Sequence, residues 1–153
     1  MRMLTLIAIL LLSFTAQAEW TFETVIDEMT DNTTATITSV EPGTSDKWIA
    51  VRCEKGGTFL VFAFGAYFVD GQKNEVTTRF DSDEPYRTVT VPYPGRSHAL
   101  LTLNDFASKL LADMQEHNKV IVRATPWRET PVTFTVNLSG FSKAYNQCLA
   151  AVQ

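Results

Sequence analysis

The chain is poor in the residues that do chemistry. Its 153 residues include two histidines and two cysteines. A transition-metal centre, which draws three or four ligands largely from those types, has almost nothing to be built from. Lys plus Arg number 13 against 17 Asp plus Glu, giving a formal net charge of −4. The cations are not clustered, so the basic stripe that nucleic-acid binding needs is missing. Seven Gly and six Pro are too few for a collagen-like or low-complexity chain. Beyond residue 18 no apolar run approaches the roughly 20 residues that span a bilayer. Phosphate-loop, dinucleotide, zinc-protease and nucleophile-elbow patterns are all absent.

What is present is a core. Hydrophobic residues make up 45% and aromatics 11%, which a disordered chain would lack. The length suits one domain. At the start, Met1-Arg2-Met3 gives one positive charge, residues 4–12 are almost unbroken apolar sequence, and Ala16-Gln17-Ala18 is an A-x-A cleavage site. Residues 1–18 are therefore expected to be a signal peptide, with 19–153 a single β-rich secreted domain. No cysteine follows the apolar stretch, so a lipoprotein anchor is not supported.

Export gives the two cysteines a meaning, because an oxidising compartment favours disulfides. Cys53 alternates with Ile49 and Val51 on what reads as an inward strand face. Cys148 lies on a helical stripe with Phe141, Ala144 and Tyr145. Both sulfurs are expected in the core, paired as Cys53–Cys148. The competing reading is a reactive thiol served by His98 or His117, and nothing in the sequence brings either histidine to a cysteine.

Period-two patterns bounded by turn residues predict strands at 34–40, 47–54, 58–64, 75–81, 86–91 and 97–102, with 20–26 as an edge strand or an extended start. Residues 58–64 (TFLVFAF) are apolar on both faces and are expected to form a central strand covered on both sides. Phe106, Leu110, Leu111 and Met114 then recur at helical spacing, predicting a helix over 103–116 with Thr102 and Asp105 as a capping box. Strands at 119–125 and 132–138 and a last helix at 141–151 complete the chain. The fold class is mainly β with two helices (α+β). The architecture is an antiparallel β-sandwich-like domain, with one helix before the last two strands and one at the C-terminus.

Candidate sites are sparse. His117 at a helix end complements the macrodipole. Asp81-Ser82-Asp83-Glu84 lacks the spacing of a calcium loop and reads as a solvated acidic turn. Arg52, Arg79 and Arg123 occupy outer strand faces, and Arg128 follows Trp127 in a loop. An arginine fork clamps carboxylates or phosphates, so Arg79, Arg123, Trp127 and Arg128 are the candidate binding residues. No catalytic residue, metal site or cofactor is indicated.

The C-terminal half carries a resemblance. Val120-Ile121-Val122-Arg123-Ala124-Thr125-Pro126, Thr130-Pro131-Val132-Thr133-Phe134-Thr135-Val136, and Leu138-Ser139-Gly140-Phe141 with Ala144 and Cys148 resemble the VasI, or TagO, periplasmic accessory family of type VI secretion systems. Trp48 to Cys53 and Val76 to Asp81 resemble two upstream strands of that family, so the similarity covers about residues 34–148. The Ser139-Gly140-Phe141 and Lys143-Ala144-Tyr145 ending is also similar, more weakly, to secreted invasion-associated IalB-like proteins. The first resemblance implies a non-enzymatic accessory or interaction protein, periplasmic or secreted, and transfers no catalytic residues. Its partner would be a protein or cell-envelope component, not nucleic acid, and it would not span the membrane after signal cleavage. The alternatives are a secreted enzyme inhibitor using residues 93–98 as an exposed loop, a prophage or mobile-element envelope protein, and an envelope hydrolase using paired carboxylates.

Overall fold

Turn residues at short intervals cut the chain into short segments, most of which pair antiparallel with the next segment in the chain. The computed structural model describes residues 20–102 and 104–153, excluding the side chains of Ser97, Asn104 and Asp105. The expected signal peptide at 1–18 lies outside the described residues. In chain order come β1 (Thr21–Asp27), β2 (Asn32–Val40), β3 (Lys47–Glu54), β4 (Gly57–Phe64), β5 (Asn74–Phe80), β6 (Tyr86–Tyr93), β7 (Arg96–Thr102), α1 (Asn104–Glu116), β8 (Lys119–Ala124), β9 (Val132–Asn137) and α2 (Phe141–Ala150). The strands form one sheet in the order β1-β2-β3-β4-β7-β6-β5-β8-β9. The expected mainly β, α+β class and both helix positions are therefore present. The sandwich-like layering comes from bending a single sheet. β9 lies against β3 and β4, with the Phe64 and Phe134 rings 5.2 Å apart.

The core fills that bend. β3 contributes Ile49, Val51 and Cys53, and β4 contributes Leu60, Phe62 and Phe64, all buried. α2 rests on β1, β2 and β3, while α1 rests on β4 and touches α2. Gly140 takes φ 80°, a turn into α2 that a side chain would resist. Phe141, Ala144 and Cys148 then face inward at helical spacing. Cys148 meets Cys53 as expected, with Cα atoms 5.9 Å apart across the disulfide. β4 is also covered on its second face, where Val61 and Ala63 are 5% and 3% exposed.

Two local expectations gain detail. The Asp105 half of the expected capping box lies outside the described side chains, and the Thr102 hydroxyl is turned towards β4. It is buried and exchanges hydrogen bonds with the Leu60 backbone, accepting from N–H at 3.1 Å and donating to C=O at 3.2 Å. The acidic turn is solvated as expected, with Ser82, Asp83 and Glu84 exposed, and it is also a clamp. Asp81 leaves β5 with φ 45°. Its carboxylate accepts the backbone N–H groups of Asn118 and Lys119, both at 3.1 Å. Asp83 Oδ2 meets His117 Nε2 at 2.9 Å, and His117 Nδ1 meets the Asp113 carbonyl at 2.7 Å. The turn thus closes the C-terminal end of α1 onto the start of β8.

Candidate functional site

Outward-facing residues of β3, β4 and β7 form rungs across the sheet. Trp48 pairs with Ala63 and Ala63 with Ala99, while Ala50 pairs with Val61 and Val61 with Leu101. Alternation sends all of these to the face opposite the main core. Three alanines in adjoining rungs leave that face hollow beside the Trp48 ring. Ala50, Val61, Ala63 and Ala99 form its floor, packed by the half-buried Trp48, Tyr93 and Leu101. Two adjoining hollows of about 350 and 470 Å³, both lined by Trp48 and Arg96, make up the groove on this face.

The β6–β7 hairpin supplies one wall. Pairing shifts register between Pro92 and Tyr93, an irregularity that re-aims the following side chain. Tyr93 pairs with Arg96 around Pro94-Gly95, and Gly95 takes φ 75°. Such a tight turn needs a residue free of a Cβ. Residues 93–98 are therefore the end of a hairpin, with Pro94, Gly95, Arg96 and His98 exposed. Arg52 Nη1 donates to the Tyr93 hydroxyl at 2.7 Å, and Arg52 Nε pairs with Glu54 Oε1 at 2.5 Å. Glu23, Thr36 and Thr38 line the far side and Asp46 one end. The groove offers two aromatic faces, guanidinium and hydroxyl donors, and carboxylate acceptors. That set can grip a ligand with both apolar and polar surface.

The arginines named from sequence sit elsewhere. Thr77 lies opposite Arg123 and Ile121 opposite Arg79, so the two arginines are diagonal neighbours on one outer face. With Thr77, Pro85 and Ile121 they line a shallow hollow. Arg79 is committed to the Ser82 and Asp83 carbonyls at 3.4 and 3.0 Å, and Arg123 Nε donates to Thr133 Oγ1 at 2.9 Å. Trp127 and Arg128 form a second pair, the guanidinium 4.2 Å from the ring centroid. The Trp127 N–H donates to the Tyr67 carbonyl, and the exposed Tyr67 ring meets Trp127 edge-on. The structure thus brings the four residues together as two pairs. The sequence placed Arg52 on an outer face but gave no sign that Trp48, Tyr93 and Arg96 converge with it. The only signal was the aromatic–small–Arg alternation of Trp48, Ala50 and Arg52.

Electrostatics mark structural anchors. Asp27 is held below the usual carboxylate range by the Met29 N–H, and Asp81 by the Asn118 N–H. Burial raises Asp113, but hydrogen bonds from Lys109 and Tyr86 outweigh it and hold the group low. Burial, and then the hydrogen bond to Asp113, push the Tyr86 phenol up. His117 is raised, first by its hydrogen bond to the Asp113 carbonyl and then by Asp83. Among the described residues no three His, Cys, Asp or Glu side chains gather as metal ligands.

A family model described as "Invasion associated locus B (IalB) protein" matches residues 69–149, more than half of the chain. Comparison with curated proteins and with solved structures finds no match. The family match corrects the order of the resemblances read from sequence. The type VI secretion assignment to VasI gains no support, and the weaker IalB-like similarity is the informative one. The segments that suggested VasI are the β8–β9 pair and short upstream strands, whose alternation many antiparallel sheets share. The matched region runs from just before β5 into α2, taking in Tyr93, Arg96 and Cys148 and leaving β1 to β4 outside.

Proposed function

The chain belongs to the invasion associated locus B (IalB) family, and from that membership we propose a non-enzymatic, extracytoplasmic interaction protein. The family and the Cys53–Cys148 disulfide both fit an extracytoplasmic protein. In this reading residues 1–18 direct export and the mature chain acts in the periplasm or after secretion. It recognises a protein or cell-envelope component through the outer-face groove. The observation that carries this is the convergence of Trp48, Tyr93, Arg52 and Arg96 over a floor of small side chains. Aromatic and Arg side chains around a hollow are the usual anchors of recognition. The Arg52–Tyr93 hydrogen bond fixes two of them before a ligand arrives, which lowers the ordering cost of binding.

The test is recovery of a binding component from envelope extract by the disulfide-bonded protein. A Trp48→Ala, Arg96→Ala variant is expected to lose it, and an Arg79→Ala, Arg123→Ala variant to keep it. The reverse pattern moves recognition to the β5–β8 face. Equal recovery by wild type and both variants removes both surfaces from the account.

A further inference from the structure

The two ends of the sheet are treated differently. At the β9 edge the Thr135 N–H is occupied, donating to Glu41 Oε1 at 3.2 Å from the turn between β2 and β3. At the other end β1 is exposed along all seven residues. Four of the seven large exposed hydrophobics among the described residues sit on this hairpin. They are Phe22, Val25, Ile26 and Met29, with Val25 and Ile26 58% and 63% exposed. An edge strand carries unpaired backbone donors and acceptors, and apolar side chains on it invite a further strand.

We infer that two copies of this chain pair antiparallel through β1, about a twofold axis at Thr24. The residues of β1 are complementary to themselves in that register. Thr24 faces Thr24, Phe22 faces Ile26, Glu23 faces Val25 and Thr21 faces Asp27. Each apolar residue on the Phe22 face meets the other, and no acid directly opposes an acid. Moving the axis to Glu23 sets Glu23 against Glu23. Moving it to Val25 sets Glu23 against Asp27. Charge excludes those two registers, and the ones centred on Phe22 or Ile26 pair only three residues of each strand, so the Thr24-centred register is the one that avoids opposed acids and uses the strand's full length. The contact is isologous, so it closes at two copies and hides both bare edges at once. This inference goes beyond the proposed recognition role and does not depend on what fills the groove.

Sedimentation of the purified disulfide-bonded protein tests it. A concentration-dependent dimer is expected. Ile26→Lys, which opposes a charge to Phe22, should weaken association at least about tenfold while leaving the melting temperature of the monomer unchanged. Thr24→Cys should give a disulfide-linked dimer on a non-reducing gel, since directly opposed Cα atoms lie about 4.5–5.5 Å apart. Met29→Cys, at the most exposed position of the same hairpin, reads collisional oxidation and should cross-link far more slowly. A monomer at every concentration overturns the inference, including the case in which β1 receives an extended segment of another protein. So does a dimer that Ile26→Lys leaves intact, or cross-linking by Thr24→Cys no faster than by Met29→Cys.

Discussion

Arg52 and Tyr93 are bonded across two intervening strands, the Arg52 Nη1 donor on β3 reaching the Tyr93 hydroxyl on β6 at 2.7 Å. The bond ties the β6–β7 hairpin to the first half of the sheet and sets the width of the groove. Tyr93→Phe keeps the ring and removes the acceptor. We expect a loss of about 1 kcal/mol by urea unfolding, because Arg52 retains Glu54. Amide exchange should quicken at the tip of the hairpin, around Gly95, and any partner affinity should fall without loss of fold.

His117 ties α1 to the acidic turn in its charged form. Its pKa is raised above the ordinary 6.5 by the Asp113 carbonyl and the Asp83 carboxylate. The protonated ring therefore stabilises the fold fully below pH 6.5, and that contribution is lost as pH rises through the folded value. The stability difference between wild type and His117→Gln should be largest in mild acid and shrink towards alkaline pH. A difference that grows with pH contradicts the assigned hydrogen bonds.

Asp81 acts with the opposite sign. Its lowered pKa means stability that is present above the ordinary 3.8 and is lost as pH falls through the folded value. Asp81→Asn should therefore remove part of the acid-limb dependence of unfolding and expose the Asn118 and Lys119 amides to exchange. Unchanged exchange at both amides would refute the clamp.

The disulfide joins residues 95 apart in sequence. In the chain-entropy account, closing a loop of that order stabilises by about 4–5 kcal/mol. Reduction, or paired Cys53→Ala and Cys148→Ala substitutions, should lower stability by that order. α2 should be the first element to exchange, since its buried face is short. Calorimetry with and without reductant measures the loss.

Gly65 stands at φ 64°, and a Cβ there would press into the Asp46 carboxylate. Gly65→Ala should cost roughly 1–2 kcal/mol from the backbone conformation alone. Adding Asp46→Ala relieves the contact but not the φ penalty, so the double variant should recover only part of the loss. Full recovery would mean that backbone strain contributes nothing.

Local periodicity was enough to locate the strands and helices and to turn both cysteines inward. Alternation at Ile49, Val51 and Cys53 and helical spacing at Phe141, Ala144 and Cys148 each mark a buried face, and two cysteines facing one core have a single way to pair. Residues 58–64 read as a central strand for the same reason. Which exposed faces meet follows from the folded topology alone. The β6–β7 hairpin sets Tyr93 and Arg96 beside Trp48, and this depends on sheet order and on the shifted pairing at Pro92, neither of which leaves a local period. Nothing local to Thr102 reveals that its hydroxyl meets the Leu60 backbone, and nothing in the exposed acidic turn reveals that Asp81 takes the N–H groups at the start of β8. Hydrogen bonds between segments distant in the chain are formed by topology, and a residue's own neighbours in sequence do not reveal them.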